Sequence, residues 1–195
     1  LSSEVAAEIG GTSVRCDVTK SEDVNDAVTH AVQRHGQLDI MVNNAGFAPA
    51  PDNDRFQQIV LNQMARIDPS IEPSPIDALV DMPDDAWDRM IRTHLYGVFY
   101  GTRAALAHMT PRKTGSIINI SSISGKRAAP LGGVAYDASK FAVTALGITA
   151  AQELAQYNIR VLKLGNDVVS QQGKEALQLI QAASIDTGQN LNVTA

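Results

Sequence analysis

Cysteine occurs once in the 195 residues, at Cys16, so no disulfide can form within the chain and a reducing, cytoplasmic setting is expected. Long apolar runs are missing as well. No segment approaches the roughly 18 consecutive apolar residues that a membrane-spanning helix needs, so no membrane partner is expected. Basic residues are outnumbered, with 16 Lys and Arg against 21 Asp and Glu. The resulting net charge of −5 argues against nucleic acid or another polyanion as partner. Leu1-Ser2-Ser3-Glu4 offers neither the basic region nor the apolar core of a secretory signal, and it lacks an initiator Met. The opening therefore reads as the interior of a longer sequence. What is present is ordinary for a soluble globular protein. The apolar fraction is 44% and the charged fraction 19%, and the length suits a single domain, residues 1–195, with a sizeable core.

The chain alternates strand and helix signals. Thr12–Val18 alternates apolar and polar residues and predicts a strand. Thr19 and Glu22 have capping-box spacing at the start of a helix, along which Val24, Ala27, Val28, Ala31 and Val32 keep helical periodicity. Gly36 is placed to end that helix. Leu38–Val42 predicts a buried strand leading into Asn43-Asn44-Ala45-Gly46. Such βα alternation marks a parallel sheet with helices on both faces, a Rossmann-type three-layer α/β fold.

Six of the eight prolines lie between residues 47 and 83, which makes much of that stretch loop. Within it, Phe56, Ile59, Val60, Met64 and Ile67 keep helical spacing, predicting a surface helix inside an insert at about 50–82. A peripheral decoration, a lid or an oligomer contact would each suit it. A long helix follows from Asp84, with Trp87, Met90, Ile91, His94, Leu95, Val98, Phe99, Thr102, Ala105 and Leu106 as its inner stripe. Gly97 and Gly101 share one face and allow close backbone packing. Ser116–Ile120 predicts a strand ending at Ser121-Ser122. A glycine-containing loop then leads to a helix from Tyr136 with Phe141, Ala142, Ala145, Leu146, Ala150 and Leu154 on its apolar side. Ile159–Leu164 predicts a further strand, Gly173–Ala183 a helix and Asn190–Val193 a last short strand.

Tyr136 and Lys140 stand four apart on a helix, so their side chains share a face. An ammonium beside a phenol stabilises the phenolate, and a tyrosine so placed can act as a general acid or base. The pair alone is common by chance on protein surfaces. Ser122 adds weight, because it closes a strand just ahead of that helix, and ligands of open α/β sheets bind beyond the carboxyl ends of strands. A hydroxyl there can bind a substrate oxygen. Asn43, Ala45 and Gly46 end another strand on the same edge, where small residues let a ligand approach the backbone. His94, from its stripe position alone, reads as a core histidine, and Asp17 as a turn cap.

Taken together, Asn43-Asn44-Ala45-Gly46, Ile120-Ser121-Ser122-Ile123-Ser124-Gly125 and Tyr136-Asp137-Ala138-Ser139-Lys140 resemble the short-chain dehydrogenase/reductase family in order and spacing. Cys16-Asp17-Val18 and Thr187–Val193 resemble further family segments. The resemblance implies hydride transfer between NAD or NADP and a small-molecule carbonyl or secondary alcohol, by a homo-oligomeric dimer or tetramer. It implies Tyr136 as proton donor or base, and Lys140 as the group that favours its phenolate and holds the nicotinamide ribose. Ser122 would position the substrate oxygen. Asn43, Ala45 and Gly46 would line the cofactor, and Asp17 and Val18 would flank adenine.

The sequence departs from the family pattern in four places. No glycine-rich turn opens a helix, although the family binds the cofactor pyrophosphate on one. The resemblance places that unit ahead of Leu1. His94 stands where the family usually has a catalytic Asn, and a water relay through its two ring nitrogens is chemically open. Leu162–Asp167 replaces an expected Pro-Gly turn, and Val168–Ala183 is short for a substrate loop. The alternative to a working oxidoreductase is a truncated, catalytically inactive relative with an assembly role or none.

Overall fold

In the computed structural model, residues 2–48, 53–77, 79–128 and 132–164 are described. Among these residues three parallel strands form one sheet in the order β1 (Ile40–Asn43), β2 (Thr114–Ile120), β3 (Asn158–Leu164). The register sets Asn43 beside Asn119 and Ile117 beside Val161. Parallel pairing requires crossover helices. The chain supplies α2 (Ser21–His35) ahead of β1, α4 (Asp84–Ile91) and α5 (Gly97–Met109) between β1 and β2, and α6 (Val134–Leu154) between β2 and β3. A first helix, α1, spans Ser2–Glu8.

Alternation along a strand sends every second side chain to one face. Met41 on β1, Ile117 on β2 and Ile159 and Val161 on β3 meet Ala105 and Met109 of α5 and Leu154 of α6 in one apolar cluster. A second cluster joins Val24 and Val28 of α2 to Ala104 of α5, with Cys16, Val18 and Leu38 packed against it. Partial burial, with the Asp23 and Asp17 charges, pushes the Cys16 thiol up from its ordinary pKa. The helix predicted at 173–183 and the strand at 190–193 lie outside the described residues.

Gly36 ends α2 as expected, at φ 83° with its N–H on the Val32 carbonyl, a left-handed conformation that glycine adopts without steric cost. Gly101 shows why the small-residue face of α5 exists. A Cβ there would run into the Asn43 side chain and come within 2.9 Å of Met41 Cε.

Several expectations are corrected. Residues 11–17 run without strand pairing among the described residues. Their alternating pattern is that of a strand, but a strand exists only through a neighbour's ladder. The Thr19–Glu22 capping box does not form. Lys20 is the cap residue and contributes no side-chain bond, while Thr19 turns back to Asp17. The long helix from Asp84 runs unbroken to Met109 but is not α-helical throughout, because one wide turn, Arg92–Tyr96, has π-type bonding between α4 and α5. Phe99 is off the inner stripe and 42% exposed. The extra residue of a π-type turn shifts the helical phase beyond it. On α6 the buried side is Ala135, Ser139, Lys140, Val143, Gly147 and Leu154, while Phe141 faces outward. Polar residues occupy that inner face because it meets the end of β2, so apolar periodicity pointed to the wrong side. The helix predicted within the proline-rich stretch is α3 (Asn53–Met64). It buries Ile59, but it ends before Ile67, which is exposed.

Candidate active site

β2 and the start of α6 bring the central groups together. Lys140 is buried, and its Nζ donates to the carbonyl oxygen of Ile120, the last residue of β2, at 3.0 Å. Burial lowers the pKa of this ammonium from its ordinary value. The same Nζ lies 5.6 Å from the centre of the Tyr136 ring. Two residues beyond Ile120, Ser122 is buried and caps the short turn Ile123–Gly125, its Oγ accepting the Ser124 N–H at 3.2 Å. Because that bond uses a lone pair, the hydroxyl proton of Ser122 is left to donate elsewhere.

His94 sits in the π-type turn, 2% exposed. Its imidazole meets the Tyr136 ring edge-on, with centres 5.5 Å apart and an interplanar angle of 80°. On its other side it meets Phe47 at 5.4 Å. Nε2 lies 2.9 Å from the Phe47 carbonyl oxygen and 3.2 Å from its N–H, so either tautomer has a backbone partner. Among the described residues, buried Nδ1 has no hydrogen-bond partner. The pKa of His94 falls to about 4, chiefly through burial and then through the Lys140 charge, against a smaller opposing effect from the Phe47 backbone bond. The ring is therefore neutral at pH 7. A Cβ on Gly46 would come within 2.8 Å of this ring, which ties the glycine requirement at 46 to His94.

Asn43 is buried and belongs to a polar link across the sheet. Its Nδ2 donates to Asn119 Oδ1 at 2.8 Å and lies 3.3 Å from Thr102 Oγ1 of α5. Ala45 and Gly46 are exposed. A cavity of about 200 Å³ is lined by Val18, Asn43, Asn44 and Ala45 together with Gly97 and Gly101. Asp17 is exposed and its carboxylate serves its own turn, with Oδ1 accepting Thr19 Oγ1–H at 2.7 Å and Thr19 N–H at 3.0 Å. The Thr19 hydroxyl, more than any charge, holds the Asp17 carboxyl below its ordinary pKa.

The structure thus gathers His94, Tyr136 and Lys140, sets Ser122 two residues past the Ile120 carbonyl that holds Lys140, and puts Val18 on one cavity with Asn43 and Ala45. Sequence reasoning missed Phe47 and Asn119. Asn119 had a legible signal, a polar residue inside the apolar run Ile117–Ile120. Phe47 had none, since its contribution is a backbone group and a ring contact.

Comparison with known proteins gives this arrangement its class. The short chain dehydrogenase family model matches residues 2–177. The chain belongs to that family. An uncharacterised oxidoreductase of Mycobacterium bovis is 36% identical over 180 residues, covering 89% of this chain and 62% of the relative. A 3beta-hydroxysteroid dehydrogenase of Eggerthella lenta is 38% identical over 148 residues, covering 75% and 47%. The crystal structure of a metagenomic short-chain oxidoreductase in complex with NADP superposes with a TM-score of 0.68 at 27% identity, covering 94% of this chain and 74% of that one. The chain spans less than two thirds of the length of the curated relatives it matches.

Proposed function

We propose that this chain carries the catalytic centre of an NAD(P)-dependent oxidoreductase acting on a carbonyl or secondary alcohol. The observation that carries the reading is Lys140, buried and bonded to the end of β2 beneath Tyr136, with Ser122 two residues past that bond. An internal ammonium costs desolvation and is kept where it does work. Named relatives that oxidise or reduce such groups, and the NADP in the metagenomic oxidoreductase, support the same class.

The residues present fit the nicotinamide half of the cofactor. The exposed, small Ala45 and Gly46 offer backbone without bulk, and Lys140 keeps ammonium protons beyond the one given to Ile120. Asn43, Ala45 and Gly46 would line the cofactor, Lys140 and Tyr136 would hold its ribose, and Val18 with Asp17 would border adenine. When bound, the nicotinamide supplies or accepts the hydride.

The chain's own part is binding and proton transfer. The free hydroxyl proton of Ser122 points the substrate oxygen. The Tyr136 phenol gives a proton to that oxygen in reduction and takes one in oxidation, and the neighbouring ammonium stabilises the phenolate that remains. His94 stands in the catalytic set as the neutral group behind Tyr136. Its Nε2 is held by the Phe47 peptide, which cannot pass a proton on, so any water relay runs through Nδ1 alone.

Among the described residues no helix is long and apolar enough to cross a membrane. We read the chain as one domain with an insert at 50–82, cytoplasmic, and assembled as a homo-oligomer. Tyr96 and Phe99 next to α5 and on it, and Phe141 and Ile148 on one side of α6, are exposed and supply apolar surface for such contacts. A screen of small ketones and secondary alcohols with NADH and NADPH, and their oxidised forms, tests the assignment. Cofactor-dependent turnover abolished by Tyr136→Phe supports it, and turnover that survives that change refutes it.

A further inference from the structure

Behind the catalytic groups lies a small cluster that the proposed mechanism leaves unused. Ser121 is 2% exposed, and its Oγ is 3.3 Å from the Lys140 carbonyl oxygen and 3.3 Å from Thr144 Oγ1. Thr144 Oγ1 is 3.0 Å from the same Lys140 carbonyl and 3.1 Å from the Gly125 carbonyl. Three pieces of chain converge here: the end of β2, the turn after Ser122, and the helical turn that carries Lys140. They converge closely. A Cβ on Gly125 would collide with the Ser121 hydroxyl and would come within 2.7 Å of Thr144 Oγ1 and 2.8 Å of the Lys140 carbonyl.

The proton count shows what the cluster does. Ser121 and Thr144 have one hydroxyl proton each. The Lys140 carbonyl already has the helical N–H of residue 144. The Thr144 hydroxyl lies within reach of the Gly125 carbonyl in the turn and of the Lys140 carbonyl in its own helix, and it joins turn to helix when its proton goes to Gly125. The Ser121 proton goes to Thr144 Oγ1 or to the Lys140 carbonyl, and either bond joins the end of β2 to α6. A threonine bonding only its own helix would leave the turn unattached. Three of the catalytic groups lie one step from this knot: Ser122 follows Ser121, Gly125 closes the turn that Ser122 caps, and Lys140 contributes the carbonyl while Tyr136 sits one turn earlier.

We propose that Ser121 and Thr144 are positioning residues whose hydroxyls fix the spacing between Ser122 and the Tyr136–Lys140 pair. The proposal rests on the oxidoreductase reading for its effect on turnover, but not for its effect on Lys140. In well-oriented sites a displacement of about 1 Å can cost roughly a hundredfold.

Thr144→Val keeps the volume and removes the hydroxyl; Thr144→Ser keeps the hydroxyl and removes a methyl group. The measurements are kcat and KM, the melting temperature, and the rate at which Lys140 of the intact chain is acylated, followed by mass spectrometry. Thr144→Val is expected to lower kcat roughly tenfold or more with KM little changed. It should also speed acylation of Lys140, now held less firmly under the sheet edge. Thr144→Ser should behave like the parent in both respects even if its melting temperature falls. Ser121→Ala should resemble Thr144→Val. A packing role would give the reverse order, with Val tolerated and Ser impaired, and would overturn the proposal. Where the parent protein shows no turnover, the oxidoreductase reading fails, while equal Lys140 acylation in the parent and both Thr144 variants would separately overturn the clamp.

Discussion

His94 and Phe47 are joined through one ring nitrogen that faces both groups of one residue's backbone, 2.9 Å from the carbonyl oxygen and 3.2 Å from the N–H. A neutral imidazole meets either with the matching tautomer, and an imidazolium donates to the Phe47 carbonyl, so it is burial and then the Lys140 charge that disfavour protonation. The folded pKa of about 4 lies below the ordinary 6.5. The unfolded chain therefore binds a proton between these values and the folded chain does not, so stability is lost as pH falls from about 6.5 to about 4 and levels off below. At about 1.4 kcal/mol per unit, the loss amounts to no more than about 3.5 kcal/mol. Chemical denaturation of the parent and of His94→Asn across this range checks it. The variant should lack the His94 share of the slope.

The same substitution separates the roles open to His94. An Asn can also bond a backbone N–H or carbonyl. His94→Asn is expected to hold or raise turnover, while His94→Phe, which fills the space without polar atoms, should lower it. Steady-state rates of the two variants at pH 7 decide this.

Tyr136→Phe should remove nearly all turnover and leave the fold intact, since loss of one positioned acid typically costs about 10²–10⁴-fold. Circular dichroism establishes the fold. A rate above about a third of the parent's would exclude Tyr136 as the proton donor.

Gly101→Ala tests the packing of α5 on β1. The added methyl meets Met41 Cε and the Asn43 side chain, which is buried and fixed by its bonds to Asn119 and Thr102. The expected cost is about 1–3 kcal/mol, the usual range for overpacking, read from urea unfolding. It should be accompanied by a shift of the Asn43 side-chain amide resonance.

Much of this was legible in the sequence, for physical reasons. Short strands and helices with strong periodicity, such as α2 and β2, announce themselves because burial selects their apolar residues. Tyr136, Lys140 and Ser122 were legible because their chemistry fixes residue type and spacing. What failed is equally specific. Thr12–Val18 has a strand's pattern, but no pattern supplies the neighbour a ladder needs. The inner face of α6 was misread because Ser139 and Lys140 are buried for polar bonds, which apolar periodicity cannot register. The π-type turn at Arg92–Tyr96 shows in no residue type, yet it shifts the phase beyond it and leaves Phe99 outward. The roles of Asp17, Val18, Asn43, Ala45 and Gly46 towards a cofactor remain proposals, now with a shared cavity behind Val18, Asn43 and Ala45.

The most direct test of the central claim is saturation-transfer difference NMR of NADH and NADPH with the 195-residue chain, repeated with Lys140→Met. Because the method detects weak complexes, it reads the nicotinamide end by itself. The account predicts that saturation reaches the nicotinamide ring and its ribose protons, and that Lys140→Met abolishes this while the melting curve stays cooperative. Saturation confined to the adenine, or an unchanged nicotinamide signal in the Lys140→Met protein, would contradict it.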